Sequence, residues 1–485
     1  MKKNIKIMLA VIIFMTLMIG IAAPLKFKYG DGILGIQTLY KQKEGTIDVL
    51  ALGSSHAFED INTGMLWEDY GISAYVLAGS VQPYWNSYYY LQEALKTQRP
   101  KLVILEGYGS VFSSEYSDHS RIIKNNLGIK DLDLKKESLE VSAPEETRDN
   151  YLFDYRLWHS RYEELNESDF AQYYQKPIYQ YYKGFGVNFV EEAFEKPQIN
   201  ITKDNMRPMT EKAEKYFRKI VELCQKEKIP IMVVVSPYVL TETEQMVYYY
   251  TEKIANEYGI PLINFNNEEY YQKMSLNFET DFSDPSHLNY RGNEKFTKIL
   301  AEEIKSRFEL EDHRGDVTYE SWEQHVKDVN HRVFNYELTQ ITTPNEFINS
   351  IPIDQDYVVF IISATGSVNK RLQDMMSMYS PLKSVDKLQD HALYIIERGE
   401  LQTSINDLVW EYEKELDNNY LNTSLKFVQD DSQNSFVQSI KWNGVEKIDS
   451  QEGYYILVYD IFEKEQVCLR QLRVNANEEI ELIII

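Results

Sequence analysis

The chain has 485 residues, which is long enough for two or three domains, and a formal net charge of −24 at pH 7. Its 75 acidic residues outnumber 51 basic ones, which excludes nucleic-acid binding or broad adhesion to anionic lipid as the main function. Cys224 and Cys468 fall in different predicted domains, so a disulfide framework is excluded and both are interpreted as packed thiols.

The N-terminal segment combines basic residues with an apolar run. Three lysines come first, and residues 7–25 then carry no charge, over a length that can span a bilayer. Lysines before the run predict a cytoplasmic N-terminus, a single membrane helix within residues 1–28 and an extracytoplasmic remainder. The alternative is a cleaved signal peptide, because residues 21–24 resemble a cleavage site. Both interpretations predict export, and the first predicts a cell-membrane protein.

Residues 47–53 form an apolar run, interrupted only by Asp48, that is typical of a central parallel strand buried on both faces. The run ends in Gly53-Ser54-Ser55-His56, so two hydroxyls and an imidazole follow the carboxyl end of the strand. Ligands and catalytic groups collect at this edge of open α/β sheets, and backbone N–H groups there can face a developing oxyanion. A Gly-Ser turn that caps the next helix is the alternative.

Strand and helix patterns then alternate up to about residue 307. Five short apolar strands joined by crossover helices predict an α/β fold, a three-layer α/β/α sandwich around a five-stranded parallel sheet with right-handed connections. The candidate strands are Ile47–Gly53, Ala74–Leu77, Leu102–Leu105, Ile229–Val235 and Pro261–Phe265.

Between the third and fourth strands, residues 111–206 form an insertion far longer than a crossover helix requires. Many tyrosines surround a Trp-His-Ser-Arg cluster that contains His159 and Arg161. Aromatic faces suit sugar rings, and an arginine suits phosphate or carboxylate. We expect a lid in which His159 and Arg161 bind substrate. For the tyrosines as a group, an aromatic-rich subdomain that packs on itself is the alternative.

A second polar motif, Asp284-Pro285-Ser286-His287, comes just before the last helical pattern of this region. An Asp three residues before a His lets both side chains reach a serine from one loop. His287 would then act as general base, and Asp284 would fix its tautomer and stabilise the imidazolium. Together with Ser55, the motif predicts a catalytic triad.

The two motifs together resemble the first and last sequence blocks of the SGNH (GDSL-like) hydrolase superfamily. The resemblance implies Ser55 as nucleophile, with Ser54 in place of the usual Asp, and Asp284 and His287 as its partners. It also implies Gly79, after the second strand, as the oxyanion-hole glycine. The third strand ends in Glu106-Gly107-Tyr108, where the family's hydrolases usually carry an Asn donor. Ser54 and His56 are expected beside the substrate. Glu106 is interpreted as a satisfied strand-end carboxylate, with a catalytic role as the alternative.

The Gly-Ser-Ser form is similar to a membrane-anchored branch of that superfamily, which includes the teichoic-acid D-alanylation protein and alginate-type O-acetyltransferases. This resemblance implies an extracytoplasmic O-acyltransferase, with acetyl as the first candidate group, that acts on a cell-surface polysaccharide or teichoic-acid-like polymer. A multi-spanning membrane-bound O-acyltransferase is the implied partner, and no metal or other cofactor is expected. An acetylesterase with the same triad and a non-catalytic glycan-binding assembly protein are the alternatives.

The catalytic domain is predicted to cover residues 29–310. Residues 311–335 are polar and are interpreted as a linker or an exposed helix, with three solvent-facing histidines that lack metal-site spacing. Residues 336–485 are predicted to form an accessory α+β domain without a catalytic constellation. Its predicted elements are strands at Tyr357–Ser363, Ala392–Glu397, Ser439–Trp442 and Tyr454–Asp460, a helix at Val368–Met378 and a turn at Asn443-Gly444.

Overall fold

A computed structural model describes residues 2–27, 31–165, 169, 182–364, 369–385, 388–405, 410–417, 422–430, 437–442, 445–446 and 452–485. The chain divides into two compact units, Met1–Val329 and Asn330–Ile485. This division falls within the segment predicted as a linker. The predicted turn at Asn443-Gly444 lies outside the described residues.

The first unit has helices on both sides of one parallel sheet. Its α-helices are Lys2–Leu25, Ile33–Leu39, Ser55–Asp60, Thr63–Tyr70, Tyr84–Ala94, His119–Asn126, Leu132–Ser142, Arg148–Leu152, Trp158–Arg161, Glu211–Glu227, Glu242–Glu257, Glu268–Met274 and Tyr290–Arg307. A further helix, Glu320–Gln340, begins in this unit and ends in the second.

The N-terminal apolar run is helical, as predicted. Over the part of the chain that the structure describes, no helix has both the length and the apolar character that crossing a bilayer requires. The predicted transmembrane helix is therefore not confirmed.

The sheet has the order β2-β1-β3-β4-β5 and is parallel throughout, as predicted. Its strands are β1 (Val49–Gly53), β2 (Ala74–Ala78), β3 (Leu102–Glu106), β4 (Ile231–Val235) and β5 (Leu262–Asn264). A separate antiparallel pair is formed by β6 (Phe282–Asp284) and β7 (His287–Leu288). β1 lies between β2 and β3, and a packed core lies on each of its two faces, which explains its continuous apolar run.

Two separate cores lie on the two faces of this sheet. Leu50 and Leu52 point into one core, whereas Val49 and Ala51 point into the other, as the alternation of a strand requires. The helix Glu211–Glu227 buries its apolar side in the first core, and the helix Tyr290–Arg307 buries its own in the second. The first unit is therefore a three-layer α/β/α sandwich, as predicted.

The insertion returns to the sheet along its β2 edge. The carbonyl oxygen of Lys183 accepts a hydrogen bond from the Val76 N–H of the edge strand at 2.9 Å. Gly184 follows with a φ of +84°, and a Cβ there would lie 1.7 Å from the Val76 oxygen, so only glycine fits. Further along, the Gly186 N–H donates to the Phe58 oxygen at 2.8 Å. The returning chain therefore covers the sheet edge and contacts the helix Ser55–Asp60.

The second unit is an antiparallel α+β structure. Its larger sheet has the order β10-β9-β8-β15-β16-β17, and a four-stranded sheet has the order β11-β12-β13-β14. Its strands are β8 (Tyr357–Ser363), β9 (Ala392–Glu397), β10 (Glu400–Ile405), β11 (Trp410–Asp417), β12 (Asn422–Asp430), β13 (Val437–Trp442), β14 (Val445–Glu446), β15 (Tyr454–Asp460), β16 (Glu465–Val474) and β17 (Ile480–Ile484), and its helices are Pro344–Ser350 and Lys370–Met376. All four strands predicted from the sequence are present, and the predicted helix is present over Lys370–Met376.

The prediction that three histidines between residues 311 and 335 face solvent is wrong. His313 bonds Asp48 at 2.8 Å, and its ring stacks on Tyr319 with centroids 4.1 Å apart. His325 is buried and bonds the Thr63 hydroxyl at 2.8 Å. His331 is buried as well. The imidazoles form hydrogen bonds with groups inside the protein. The polar composition of the surrounding segment gave no indication of these bonds.

Candidate active site

Ser55 lies where β1 turns into a helix. β1 ends at Gly53, Ser54 caps the helix Ser55–Asp60, and Ser55 is the first helical residue. The Ser54 oxygen accepts a hydrogen bond from the His56 N–H at 3.3 Å, which is the usual role of a serine cap. The backbone N–H of Ser55 belongs to the first turn, whose N–H groups have no acceptor within the helix. The sequence therefore places the Ser55 hydroxyl at the carboxyl edge of the sheet.

The structure joins Ser55 to the second predicted motif. The Ser55 Oγ lies 2.7 Å from Nε2 of His287, and Nδ1 of His287 lies 2.7 Å from Oδ2 of Asp284. The other oxygen of Asp284 accepts the Ser286 N–H at 2.7 Å, which fixes the carboxylate. Asn289 caps the following helix and so ends the loop just beyond His287. This is the donor–acceptor order that a serine nucleophile, a general base and its orienting carboxylate require.

The site is open to solvent on one side. The Asp284 side chain is 42% exposed and that of His287 is 17% exposed. Ser55 is partly exposed as well, so solvent reaches the Ser55–His287 pair.

Ser54 is turned away from His287 and faces Glu106. Both the N–H and the hydroxyl of Ser54 donate to Oε2 of Glu106, at 3.1 and 2.8 Å. The Tyr108 N–H donates to the other oxygen of Glu106 at 2.5 Å. A Cβ on Gly53 would lie 2.4 Å from the Cβ of Glu106, so this approach requires glycine. Glu106 therefore holds the turn that carries the serine pair.

Burial raises the pKa of Glu106 to about 7, although the hydrogen bonds from Ser54 and Tyr108 oppose the rise. The carboxyl group of Glu106 therefore changes its protonation state near neutral pH.

His56 lies beside the imidazole of His287 in an aromatic pocket. Its ring stacks on Tyr108 and packs edge-on against Tyr238, each with centroids 4.9 Å apart, and lies 5.2 Å from the ring of His287. Burial, followed by the proximity of His287, lowers the pKa of His56 well below its ordinary value. His56 is therefore neutral at pH 7 and adds no charge beside His287.

Gly79 has a packing role in this structure. A Cβ on it would lie 2.0 Å from Oδ1 of Asn125, and its N–H points to the Gly53 oxygen at 3.4 Å. The contact with Asn125 explains why the position is glycine. The oxyanion-hole role that the sequence suggests for Gly79 stays a prediction.

The insertion residues have internal partners. The Arg161 guanidinium lies 2.6 Å from the Asp169 carboxylate and 5.6 Å from the ring centre of Phe27. His159 belongs to the helix Trp158–Arg161, but its side chain lies outside the described part of the structure. Because the charge of Arg161 already faces a carboxylate, its predicted role in binding a substrate anion has no support from these contacts.

Sequence reasoning missed three residues that surround the triad: Asp60, Ser236 and Tyr238. Asp60 ends the helix that Ser55 begins, and Ser236 and Tyr238 follow the carboxyl end of β4. The position of Ser236 and Tyr238 directly after a buried strand was the signal available in the sequence.

A cavity of about 660 Å³ lies near the carboxyl end of β5. Asn264, Asn266, Tyr248 and Tyr270 are among its lining residues, and none of the triad residues lines it. The candidate site is therefore defined by the hydrogen bonds of Ser55, His287 and Asp284 and not by this cavity.

A protein-family model that carries no description matches residues 142–309, which is less than half of the chain. The search of curated proteins gave no match.

Two solved structures resemble part of the chain. One is described as an acylhydrolase from Bacteroides fragilis, with 11% identity, a TM-score of 0.28, and coverage of 56% of this chain and 93% of that protein. The other is a GDSL-like lipase from Bacteroides thetaiotaomicron, with 12% identity, a TM-score of 0.26, and coverage of 53% and 87%. At such low TM-scores we infer neither family nor activity from these two structures.

Proposed function

We propose that this protein is a serine-dependent acyl-group enzyme of the SGNH type that works as an O-acyltransferase on a cell-surface polysaccharide or teichoic-acid-like polymer. The observation that carries the catalytic part is the chain of 2.7 Å hydrogen bonds from Ser55 through His287 to Asp284. The transferase reaction and the polymer rest on the resemblance of the Gly-Ser-Ser motif to the surface-polymer branch.

In the first half-reaction, Nε2 of His287 takes the proton of Ser55 as Oγ attacks the acyl carbonyl carbon. Asp284 accepts the Nδ1–H of His287, which fixes the tautomer and stabilises the imidazolium. Collapse of the tetrahedral intermediate breaks the bond to the leaving oxygen, and His287 returns its proton to that oxygen. The product is an acyl-Ser55 ester.

In the second half-reaction, His287 removes a proton from the acceptor hydroxyl as its oxygen attacks the acyl-Ser55 carbonyl carbon. The bond from that carbon to Oγ then breaks, and His287 gives its proton to Oγ, which regenerates the Ser55 hydroxyl. A sugar hydroxyl as acceptor makes the protein a transferase, whereas water makes it an acetylesterase. The same residues serve both reactions, so an acetylesterase is the second candidate. It is favoured by the exposed side of Asp284 and His287, through which water can enter.

The proposed location is outside the cytoplasm, beside a multi-spanning membrane-bound acyltransferase that would supply the acyl group. This part rests on the lysines and apolar run at the N-terminus.

The experiment is a burst and decay measurement with p-nitrophenyl acetate. We expect a burst of p-nitrophenol and an acetyl adduct on Ser55, detected by peptide mass spectrometry, that Ser55→Ala lacks. Ser54→Ala, the neighbouring hydroxyl, should form the adduct more slowly but still form it. Faster adduct decay with a polysaccharide acceptor than in buffer would support transfer, and decay that no glycan changes would support the esterase. A full burst in Ser55→Ala would refute the proposal.

A further inference from the structure

Asp60 is a fully buried carboxyl group that the mechanism above does not use. It ends the six-residue helix that begins with Ser55. At 1.5 Å of rise per residue, the two positions lie about 7.5 Å apart along the helix axis. Any group that Asp60 holds is therefore held at a fixed distance from the nucleophile.

The two oxygens of Asp60 bind two other parts of the site. Oδ1 accepts the backbone N–H of Leu288, the residue after the catalytic base, at 3.0 Å. Oδ2 accepts the hydroxyl of Ser236, just beyond β4, at 2.6 Å. The remaining close group is Nδ1 of His56, at 3.7 Å from Oδ2. One side chain thus joins the Ser55 helix, the His287 loop and the end of a central strand.

The His287 loop is also held on its other side. The Val239 N–H donates to the Pro285 oxygen at 2.8 Å. Asn266 in turn accepts the Tyr238 N–H at 2.9 Å and donates to the Ser236 oxygen at 2.7 Å. The segment from Ser236 to Val239 is therefore a rigid support for the loop, and Asp60 connects that support to the helix of Ser55.

Such a connection matters because Ser55 and His287 are far apart in sequence, so only tertiary contacts can set their distance. A misplacement of about 1 Å between reacting groups can cost roughly 100-fold in rate. A buried carboxylate is also costly unless its oxygens are hydrogen-bonded. Among its described partners Asp60 has no lysine or arginine, so charge pairing does not explain its presence.

We propose that Asp60 is a positioning residue, which fixes His287 at bonding distance from Ser55 by anchoring the Leu288 N–H and the Ser236 hydroxyl. Its effect on catalysis rests on the proposed function, whereas its effect on the loop does not.

The test compares Asp60→Ala with Asp60→Asn and with a control, Asp281→Ala. Asn keeps a carbonyl oxygen for the Leu288 N–H, whereas Ala keeps no acceptor. Asp281 is also fully buried, but its carboxylate binds Lys295 at 2.6 Å and the Asn277 N–H at 2.7 Å and does not contact the triad. Each variant is assayed for p-nitrophenyl acetate turnover and for amide hydrogen exchange at Leu288.

For Asp60→Ala we expect kcat to fall about 100-fold with KM changed less than about threefold, and Leu288 to exchange at least about tenfold faster. Asp60→Asn should recover most of kcat, and Asp281→Ala should lose stability while keeping kcat within about threefold. If Asp60→Ala does not fold, Ser236→Ala replaces it, with an expected loss of about tenfold in kcat.

Unchanged exchange at Leu288 in Asp60→Ala would overturn the proposal, whatever the activity. So would equal losses of kcat in Asp60→Ala and Asp281→Ala, because that would show a general loss of stability. If the wild-type protein turns over no ester while Asp60→Ala still accelerates exchange at Leu288, the proposed function fails and the positioning role stands.

Discussion

Two histidine–aspartate pairs in this protein have almost the same internal geometry and different surroundings. In the first unit Nδ1 of His287 lies 2.7 Å from Asp284, and in the second unit Nδ1 of His331 lies 2.8 Å from Asp460. The other nitrogen of His287 meets the Ser55 hydroxyl at 2.7 Å. The other nitrogen of His331, Nε2, lies 3.6 Å from a carboxylate oxygen of Asp356.

The two aspartates also differ in how many donors they accept. Asp460 is fully buried and accepts, besides His331, the Asn335 amide and the backbone N–H groups of Phe462 and Glu463, at 2.8 to 2.9 Å. The ring of His331 is further enclosed by stacking on Tyr357. A histidine–aspartate bond is therefore not evidence of catalysis by itself. What the second nitrogen meets, and whether a substrate can reach it, decides between a reactive and a structural pair.

The largest expected effect separates the two pairs by activity. Ser55→Ala and His287→Ala should each lower kcat for p-nitrophenyl acetate by at least about 1000-fold, and the double variant should lose no more, because triad members act as a unit. His331→Ala should keep kcat within about threefold for the fraction that is folded. Steady-state kinetics at matched folded concentration checks this, and a loss in His331→Ala equal to that in His287→Ala would break the comparison.

The second effect separates the pairs by stability. Asp460→Ala should lower the free energy of unfolding by about 4 kcal/mol, since it leaves buried donors without an acceptor. Asp284→Ala should lower it by less than about 1 kcal/mol, because that carboxylate is partly exposed and water can replace it. Urea unfolding of both variants gives the two values. Equal losses would mean that the Asp284 pair is structural too.

The smallest effect concerns pH and the carboxyl group behind Ser55. Burial raises the pKa of Glu106 from 4.5 to about 7, so the folded protein binds more protons than the unfolded chain between these values. Its contribution to stability is complete below about pH 4.5 and is lost as pH rises through 7, by about 3 kcal/mol in all. Glu106→Gln should remove this dependence. Urea unfolding of both proteins at pH 4.5 and 8 measures it, and parallel curves would contradict it.

The sequence predicted the structure best where local sequence alone determines the element. The apolar run before Gly53 predicts a central strand buried on both faces, and the structure has it as β1. The spacing of Asp284 and His287 within one loop likewise required no knowledge of distant residues. The structure places both in the arrangement that the motif suggests, although their catalytic role stays a prediction.

Contacts between residues far apart in the sequence could not be predicted from the sequence. No sequence pattern relates Asp60 to Leu288. The buried His331 lies among charged residues, a composition that is typical of a solvent-exposed helix. Gly79 fits a family position, but its contact with Asn125 could be seen only once the chain was folded. Burial of polar residues depends on which distant group satisfies them, and local composition does not report that.

The returning end of the insertion has a consequence for anyone who wishes to shorten this protein. Residues 111–206 lie between two strands, so their deletion would remove no strand of the parallel sheet. It would, however, remove Lys183 and Gly186, and with them the cover of the β2 edge and a bond to the helix of Ser55. An uncovered edge strand is a template for intermolecular pairing. A trimmed version is therefore expected to aggregate.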